Sequence, residues 1–264
     1  MTANQHLAST TAQARPSSIV EPTYLDRGLD ALIARLDQNR ELTADAKRAL
    51  RNAAGPVTVF DAGAEMSRQH SSPNHSLLVA AGTAARSNMV ENGERQITAF
   101  HLVGDFVDLH AFHLDRLDHG VDALTQVTAI PFAHAVLRRL TREYPDLIQL
   151  FWRSSILDGA IHRQWLVAMG RMTASRHMAH FFCEHYLRAK AVGLGDEFSF
   201  AFEITQAQLA DALGLSTVHV NRVLQELRGL GLFEWGHGSV TILDWEALRD
   251  LGQFDETYLG AIGN

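Results

Sequence analysis

The sequence has a single cysteine, Cys183, among its 264 residues. One cysteine excludes an intramolecular disulfide framework, and it also excludes a four-cysteine zinc or iron–sulfur site within one chain. We interpret Cys183 as a core residue of a helix, with a redox sensor as the alternative. So little cysteine suits a reducing compartment, and we expect a cytoplasmic protein.

Long apolar runs, targeting signals and catalytic motifs are also missing. Charged residues interrupt every apolar run before it reaches about 18 residues, so we predict no membrane-spanning segment. The N-terminus has no charged region followed by an apolar run, which argues against a secretory signal. There is no nucleophile elbow, P-loop or HExxH pattern, so we expect no enzyme; a metal-dependent barrel with an appended DNA-binding module is the alternative.

Positive charge is scarce in this chain. The net charge is −7, and residues 171–264 alone contain seven Lys or Arg against twelve Asp or Glu. A basic footprint is the usual mark of a DNA-binding domain. Any DNA binding by this chain must therefore depend on a small local surface.

The apolar content of 46% is ample for packed cores. Residues 1–22 are polar and are predicted to form a mobile tail. Helical spacing is found over 24–36 and 43–53. Short apolar runs follow, and Asn92-Gly93 between two of them predicts a hairpin. These runs, at 57–60, 76–80, 95–103 and 123–130, favour a β-roll or barrel.

Helical patterns return after Pro131, and helices are predicted over 132–143, from Pro145 to 172, and over 172–190. The longest of them is apolar on two adjacent faces, so it has two surfaces to pack against. We interpret one as its own β-roll and the other as a partner subunit; a long core helix without a partner is the alternative. The predicted dimer contact comprises Leu147, Leu150, Phe151, Ser154, Leu157, Ile161, Trp165 and Ala168.

The strongest local signal is a helix-turn-helix that begins at Thr205 or Gln206. Two helices that cross steeply need a small residue at closest approach and a turn residue that tolerates positive φ. Ala210 and Gly214 occupy those positions, and Ser216 is suited to cap the second helix. The predicted inward positions are apolar throughout: Leu209, Leu213, Leu215, Val220 and Val223.

The second helix of this motif presents a set of side chains suited to reading a DNA major groove. Arginine pairs with guanine, asparagine with adenine, and an apolar side chain contacts the thymine methyl group. A helical hairpin used only for packing does not explain this outward set. The predicted DNA-binding residues are Gln206, Ser216, Thr217, Val218, His219, Asn221 and Arg222.

Apolar runs at 232–235 and 239–243 flank a glycine-rich turn and predict a β-hairpin wing, followed by a short helix over 244–251. The fold class is thus α+β. We divide the chain into a tail (1–22), a β-roll sensor domain (23–144), a dimerisation helix (145–172) and a winged helix-turn-helix domain (173–264).

The sequence resembles the Crp/Fnr superfamily of bacterial regulators over nearly all of its length after residue 25. The resemblance is carried by ITQAQLADALGLSTVHVNRVLQELRGLGL at 204–232, and by HLVGDFVDLHAF at 101–112, which resembles the glycine–acidic turn of the family's roll. It implies a cyclic-nucleotide-binding-like β-roll, a homodimer on double-stranded DNA with two-fold-related half-sites, and contact with RNA polymerase.

The chain departs from the family pattern in the sensor and in the recognition helix. Cyclic-nucleotide binders of this family carry an Arg-Ser pair after the glycine–acidic turn, but the corresponding stretch, 118–121, has no arginine. Asp108, Asp115 and Asp118 would also repel a cyclic phosphate, so we expect that cyclic-nucleotide binding has been lost. Many relatives have a glutamate where this chain has Val218, so the half-site is expected to differ.

Histidine is abundant, with fourteen in the chain. His101, His110, His113 and His119 surround the predicted roll turn, which suggests either a haem or metal sensor or ordinary hydrogen-bonded histidines. We favour the second interpretation, because no zinc-ligand or His-x-His spacing stands out. We therefore predict no metal and no cofactor. A haem- or metal-binding sensor, and a ligand-independent regulator with a vestigial sensor, are the alternatives.

Overall fold

A computed structural model describes residues 15–16, 22–36 and 42–260, so most of the predicted tail over 1–22 lies outside the described residues. The N-terminal half contains two four-stranded antiparallel sheets, ordered β1-β2-β8-β4 and β3-β7-β5-β6. They form the predicted β-roll. The strands are β1 (Arg15–Pro16), β2 (Thr58–Phe60), β3 (Glu65–Ser67), β4 (His75–Ala81), β5 (Ala84–Met89), β6 (Arg95–His101), β7 (Gly120–Ala123) and β8 (Val127–Ala133).

Helices surround the roll and lead from it to the C-terminal domain. They are α1 (Pro22–Leu36), α2 (Ala44–Asn52), a 3-10 turn (Leu109–Phe112), α3 (His134–Glu143), α4 (Pro145–Arg171) and α5 (Ala174–Ala191). The 27 residues of α4 make it about 40 Å long. Met172 leaves the helical conformation, and Thr173 then caps α5 by accepting a hydrogen bond from the Arg176 amide. This break lies where the domain boundary is predicted.

The C-terminal domain combines short helices with a third antiparallel sheet, ordered β11-β12-β10-β9. The predicted wing hairpin is confirmed, but it is part of a larger sheet because β10 pairs with β12. The elements are β9 (Gly195–Asp196), β10 (Ser199–Ala201), α6 (Gln206–Leu213), α7 (Thr217–Gly229), β11 (Phe233–Gly236), β12 (Ser239–Ile242), α8 (Trp245–Leu251) and a 3-10 turn (Glu256–Leu259).

Strand β5 is missing from the sequence prediction. Its interior residues Arg86 and Ser87 are polar, so no apolar alternation marks it, yet both are buried. The strand forms because β6 and β7 pair with it on both sides. Its polar side chains have partners: Ser87 donates to Asp122, and Arg86 donates to Asp158. Buried polar groups are tolerated when they are hydrogen-bonded in this way.

The C-terminal domain packs directly on the roll through a buried arginine. Arg188 of α5 donates through Nη2 to the Phe100 carbonyl at 2.7 Å and to Asp105 Oδ2 at 3.1 Å. Asp105 belongs to the glycine–acidic turn, where Gly104 has φ +85 and a Cβ would lie 2.8 Å from the backbone of α1. A side chain at position 104 would therefore collide with α1. The turn thus fixes α5 and α1 to the roll.

Candidate functional site

The two helices of the helix-turn-helix begin and end at well-defined caps. Thr205 and Gln208 form a reciprocal capping box at the start of α6, with hydrogen bonds of 3.1 and 2.7 Å. Gly214 ends α6 with φ +64, as the sequence predicts, and the Ser216 hydroxyl accepts from the His219 amide at 3.2 Å to begin α7. Residues next to the helix ends therefore determine where α6 begins and ends and where α7 begins.

The inner face of the motif is apolar, as predicted. Leu213 is 3% exposed, and Leu215 packs at the edge of the same core. Burying side chains of this size contributes about 1.5–3 kcal/mol each, which stabilises the angle between α6 and α7. The residues that form this face and are fully or almost fully buried are Leu209, Ala210, Leu213, Val220 and Val223.

The outer face of α7 consists of exposed side chains. Thr217, Asn221 and Arg222 are exposed, and Val218 has 80% of its surface accessible. Gln225 is also exposed on α7, one turn beyond Asn221. The sequence prediction omitted Gln225, although its i+4 spacing from Asn221 was available as a signal.

Three other predicted contact residues are placed differently. Ser216 is exposed, but its hydroxyl is engaged as the α7 cap. His219 and Gln206 are half-buried at the first turns of α7 and α6. Groups at a helix N-terminus are suited to contact phosphate oxygens because free backbone amides point outward there. We therefore keep these residues as candidates for contacts with the DNA phosphate backbone rather than with the bases.

The two arginines of α7 have different environments. Arg228 is half-buried, and its guanidinium donates to the Trp235 carbonyl of the wing. Arg222 is exposed. Within α7, Arg222 is thus the arginine available to a ligand, while Arg228 connects the helix to the wing.

The residues predicted for the dimer contact on α4 face the interior of the chain itself. Leu147, Leu150 and Phe151 lie in the core beneath the first sheet of the roll, and Ile161 and Trp165 lie in the core shared with the C-terminal domain. Ala168 is buried as well, and Ser154 and Leu157 are half-buried. This stripe is therefore the face that holds α4 to its own domains, and the predicted contact surface needs correction.

A second stripe on α4, displaced by one residue, is exposed toward both of its ends, while Ser155, Gly159 and His162 in its middle also border a cavity between α4 and the roll. The positions of the stripe alternate by four and three residues, the spacing of a coiled-coil seam. The side chains include Trp152, with 65% of its surface exposed, and Leu166, with 70%. The complete stripe is Ile148, Trp152, Ser155, Gly159, His162, Leu166 and Met169. We call it the outer α4 stripe.

A cavity of about 310 Å³ lies between the roll and α4, and we call it the central cavity. Arg86 of β5 and Asp158 of α4 both line it and form a bidentate ion pair, at 2.9 and 3.2 Å. Burial is the largest influence and would raise the pKa of Asp158, but the charge and hydrogen bonds of Arg86, together with the nearby His101 and Arg188, outweigh it and lower that pKa. The cavity thus contains an arginine that the sequence did not predict, already neutralised by a carboxylate.

The predicted histidine cluster is partly assembled in the central cavity. His101, His110 and His119 line it, together with Asp118, whereas His113 packs against Phe112 instead. Ligand atoms of His110, Asp118 and His119 lie within 4.8 Å of one another. The sequence prediction of no metal stays a prediction, but spacing along the chain does not exclude a ligand group, because residues eight and nine positions apart meet in space.

Comparisons with known proteins identify the C-terminal domain first. Residues 176–251 match the Crp-like helix-turn-helix domain, which spans α5 to α8. The nitrogen fixation regulation protein FixK of Bradyrhizobium diazoefficiens is 28% identical over 166 residues, covering 63% of this chain and 69% of that protein. The anaerobic regulatory protein of Haemophilus influenzae is 27% identical over 188 residues, covering 70% and 71%.

The same relationship extends to the roll. FixK2 of Bradyrhizobium japonicum superposes with a TM-score of 0.68 at 20% identity, over 75% of this chain and 96% of that chain. A CRP/FNR-family regulator of Thermus thermophilus superposes with a TM-score of 0.59 at 18% identity, over 75% and 98%. The helix-turn-helix match, these relatives and the shared fold together support a Crp/Fnr-type transcription regulator.

The Crp/Fnr family assignment fits the architecture of roll, long helix and winged helix-turn-helix. Within the described ranges, none of the helices combines the length and the apolar character that a membrane span requires. In this Crp/Fnr regulator, the outer face of α7 is the candidate DNA contact, and the central cavity is the candidate effector site.

Proposed function

We propose that this regulator binds DNA as a homodimer, places α7 in the major groove of each half-site, and responds to an effector other than a cyclic nucleotide. The observation that carries the proposal is the outer face of α7, where Thr217, Val218, Asn221 and Arg222 are exposed beside a buried apolar face. Base readout requires an exposed helix that a rigid domain holds at a fixed angle.

Arg222 is the side chain that we expect to contact a base. Its guanidinium is exposed on the second turn of α7, and arginine donates two parallel hydrogen bonds to a guanine edge. Asn221 donates through Nδ2 to the Thr217 carbonyl at 3.3 Å, so it must leave this bond to contact adenine. For this reason we assign Asn221 and Thr217 smaller contributions.

Selection of preferred sequences from a random DNA pool tests this assignment. The wild type should enrich a two-fold-related site, and Arg222→Ala should bind it about 5- to 150-fold more weakly per half-site, with relaxed preference at one base pair. Arg139→Ala is the matched control, because Arg139 is an exposed arginine on α3 of the other domain. Enrichment of the same site with equal affinity by Arg222→Ala would refute the assignment.

The outer α4 stripe supports homodimerisation. Exposed Ile148, Trp152 and Leu166 are costly in water, and the four-three spacing matches a second copy of the same helix. Closed two-fold symmetry would bring two α4 helices together and would place the two α7 helices on related half-sites. The same symmetry explains why a net acidic domain can bind DNA, because every favourable contact is made twice.

The central cavity supports an effector other than a cyclic nucleotide. Arg86 could hold a cyclic phosphate only after it leaves Asp158, and Asp118 adds negative charge at the same cavity. A phosphate entering here would meet two carboxylates and a guanidinium that is already paired. The alternative is a regulator that has no effector and whose roll is only structural. In that case, no ligand of this cavity should change the affinity for DNA. Contact with RNA polymerase stays a prediction from the family.

A further inference from the structure

The central cavity contains three side chains with the donor chemistry of a metal site. His110 lies in the 3-10 turn Leu109–Phe112, and Asp118 and His119 directly precede β7. The ring centroids of His110 and His119 are 4.8 Å apart, and Asp118 contributes a carboxylate within the same 4.8 Å group of ligand atoms. Two imidazoles and a carboxylate form a donor set that first-row divalent metal ions prefer.

His119 is oriented as a ligand by its neighbour in the sequence. Its Nδ1 donates to Asp118 Oδ1 at 2.7 Å, so the lone pair of the neutral ring resides on Nε2. The side chain is 3% exposed, and Nε2 is buried without a hydrogen-bond partner among the described residues. A carboxylate that holds the far nitrogen of a histidine is the arrangement by which proteins orient metal-binding imidazoles.

A second buried nitrogen without a partner belongs to the same cavity. His101, at the end of β6, is 4% exposed, and its Nε2 also lacks a hydrogen-bond partner. Buried polar atoms almost always have partners, so two such imidazole nitrogens around one cavity require an explanation. A bound ion in the cavity provides it.

The charges around the cavity permit a cation. The nearby positive charge of Arg86 is balanced by Asp158 through two hydrogen bonds of 2.9 and 3.2 Å. Within the described part of the chain, Asp118 pairs with no arginine, and its side chain is hydrogen-bonded to His119. The charge of a divalent ion bound to His110 and His119 would be partly neutralised by the nearby Asp118 carboxylate.

We propose that His110 and His119 bind one divalent first-row transition-metal ion per chain, that Asp118 orients His119 for this role, and that the ion is the effector of the regulator. The remaining coordination positions are open toward the cavity, which His101 also lines and which water can enter. The metal site stands on the geometry alone, whereas its role as effector rests on the proposed function. The site touches α4 residues through the shared cavity wall, which includes Ser154 and Asp158.

Metal binding is tested on the full chain without a histidine tag, after treatment with a chelator. Titration with Zn²⁺ and with Co²⁺ should saturate at one ion per chain, and the Co²⁺ complex should show the visible absorption of a site with nitrogen and oxygen ligands. His110→Gln and His119→Gln should each weaken binding by more than about 100-fold, and Asp118→Asn by about 10- to 100-fold.

The control is His113→Gln, which removes a neighbouring histidine that faces Phe112 rather than the cavity. It should bind Co²⁺ as the wild type does. Far-ultraviolet circular dichroism of each metal-free variant checks that the chain folds, and Zn²⁺ should raise the melting temperature of wild type and His113→Gln but not of His119→Gln. Absence of one-to-one binding by the wild type, or equal binding by folded His110→Gln and His119→Gln, would overturn the metal site.

The effector role has a separate readout. Fluorescence anisotropy with the selected DNA site should give different affinities for metal-free and Zn²⁺-loaded wild type, and no difference for His119→Gln. One-to-one metal binding without any change in DNA affinity would retain the metal site and overturn its role as effector. Failure of the chain to bind DNA in either state would contradict the proposed function instead.

Discussion

The Arg86 guanidinium on β5 and the Asp158 carboxylate on α4 form a bidentate ion pair across the central cavity. The Arg86 side chain is 9% exposed, and that of Asp158 is 38% exposed. The pair joins the roll to the long helix and removes the free positive charge that an anionic ligand would need. Ligand selectivity of the roll therefore depends on a residue of α4.

Cyclic AMP and cyclic GMP should not bind the wild type in titration calorimetry, because their phosphate must displace Asp158 from Arg86. Asp158→Ala releases the guanidinium, and any cyclic-nucleotide binding gained by this variant should disappear in Arg86→Ala/Asp158→Ala. The control variant is Arg139→Ala, whose arginine is remote from the cavity. Micromolar binding of either nucleotide by the wild type would show that the ion pair does not protect the cavity.

The two stripes of α4 lead to opposite expectations for two apolar residues. Leu166→Glu should dissociate the dimer and leave the chain folded, because Leu166 is 70% exposed. Ile161→Glu should instead unfold the chain, because an unpaired charge would enter a core where Ile161 is 8% exposed. Sedimentation velocity together with circular dichroism separates the two outcomes.

Leu230→Glu is the matched control for Leu166→Glu, since Leu230 is 62% exposed but lies at the end of α7. It should remain dimeric. A wild type that sediments as a monomer at micromolar concentration would refute the dimer. A Leu166→Glu variant that stays dimeric would place the contact elsewhere.

Acid should destabilise the protein, beginning near pH 6.5. Burial lowers the pKa of His177 from 6.5 to about 4, and it lowers the pKa values of His101 and His185 well below 6.5. The unfolded chain therefore takes up protons before the folded chain, and stability falls as the pH falls from 6.5 toward 4. His177 alone accounts for a loss of about 3 kcal/mol across that window.

Asp108 changes the pH dependence of stability in the opposite direction and therefore serves as the control. Burial raises its pKa from 3.8 to about 6, so between pH 6 and 3.8 the folded chain holds a proton that the unfolded chain has lost. Melting temperatures from pH 7.5 to 5 should fall less steeply in His177→Gln. They should fall more steeply below pH 6 in Asp108→Asn. Parallel curves for all three proteins would contradict these pKa directions.

The sequence predicts the parts of this fold that local chemistry determines. The caps Thr205 and Ser216, the left-handed Gly214 and the turn at Asn92-Gly93 are each specified by a few adjacent residues and lie where they are predicted, although the strand before that turn is β5 rather than the run 76–80. The predicted strand over 123–130 runs instead from Val127 to Ala133, because the chain turns at Thr125-Gln126 and continues in register past Pro131.

Features that depend on tertiary contacts are predicted less well. Two stripes of α4 have the same four-three spacing and differ by one residue, so periodicity alone cannot tell which faces the roll. The neighbours Trp165 and Leu166 belong to different stripes. Trp165 is buried and donates a hydrogen bond to buried Glu184, whereas Leu166 is exposed. The metal-ligand group escapes prediction for the same reason, because His110 meets His119 only through the fold of the loop between them.

The salt dependence of DNA binding distinguishes a base contact from a phosphate contact at Arg222. Because residues 171–264 have seven basic and twelve acidic side chains, few phosphates should be neutralised, and affinity should fall by less than about 10³-fold between 50 and 200 mM salt. Arg222→Ala should weaken binding to the selected site while the slope of log K against log salt stays almost unchanged. If Arg222 only contacts phosphate, the variant should instead lose affinity for all sequences alike and reduce the slope by about one. Arg139→Ala should alter neither quantity, and a wild-type slope as steep as that of a strongly basic binder would contradict the view that binding rests on a few focused contacts.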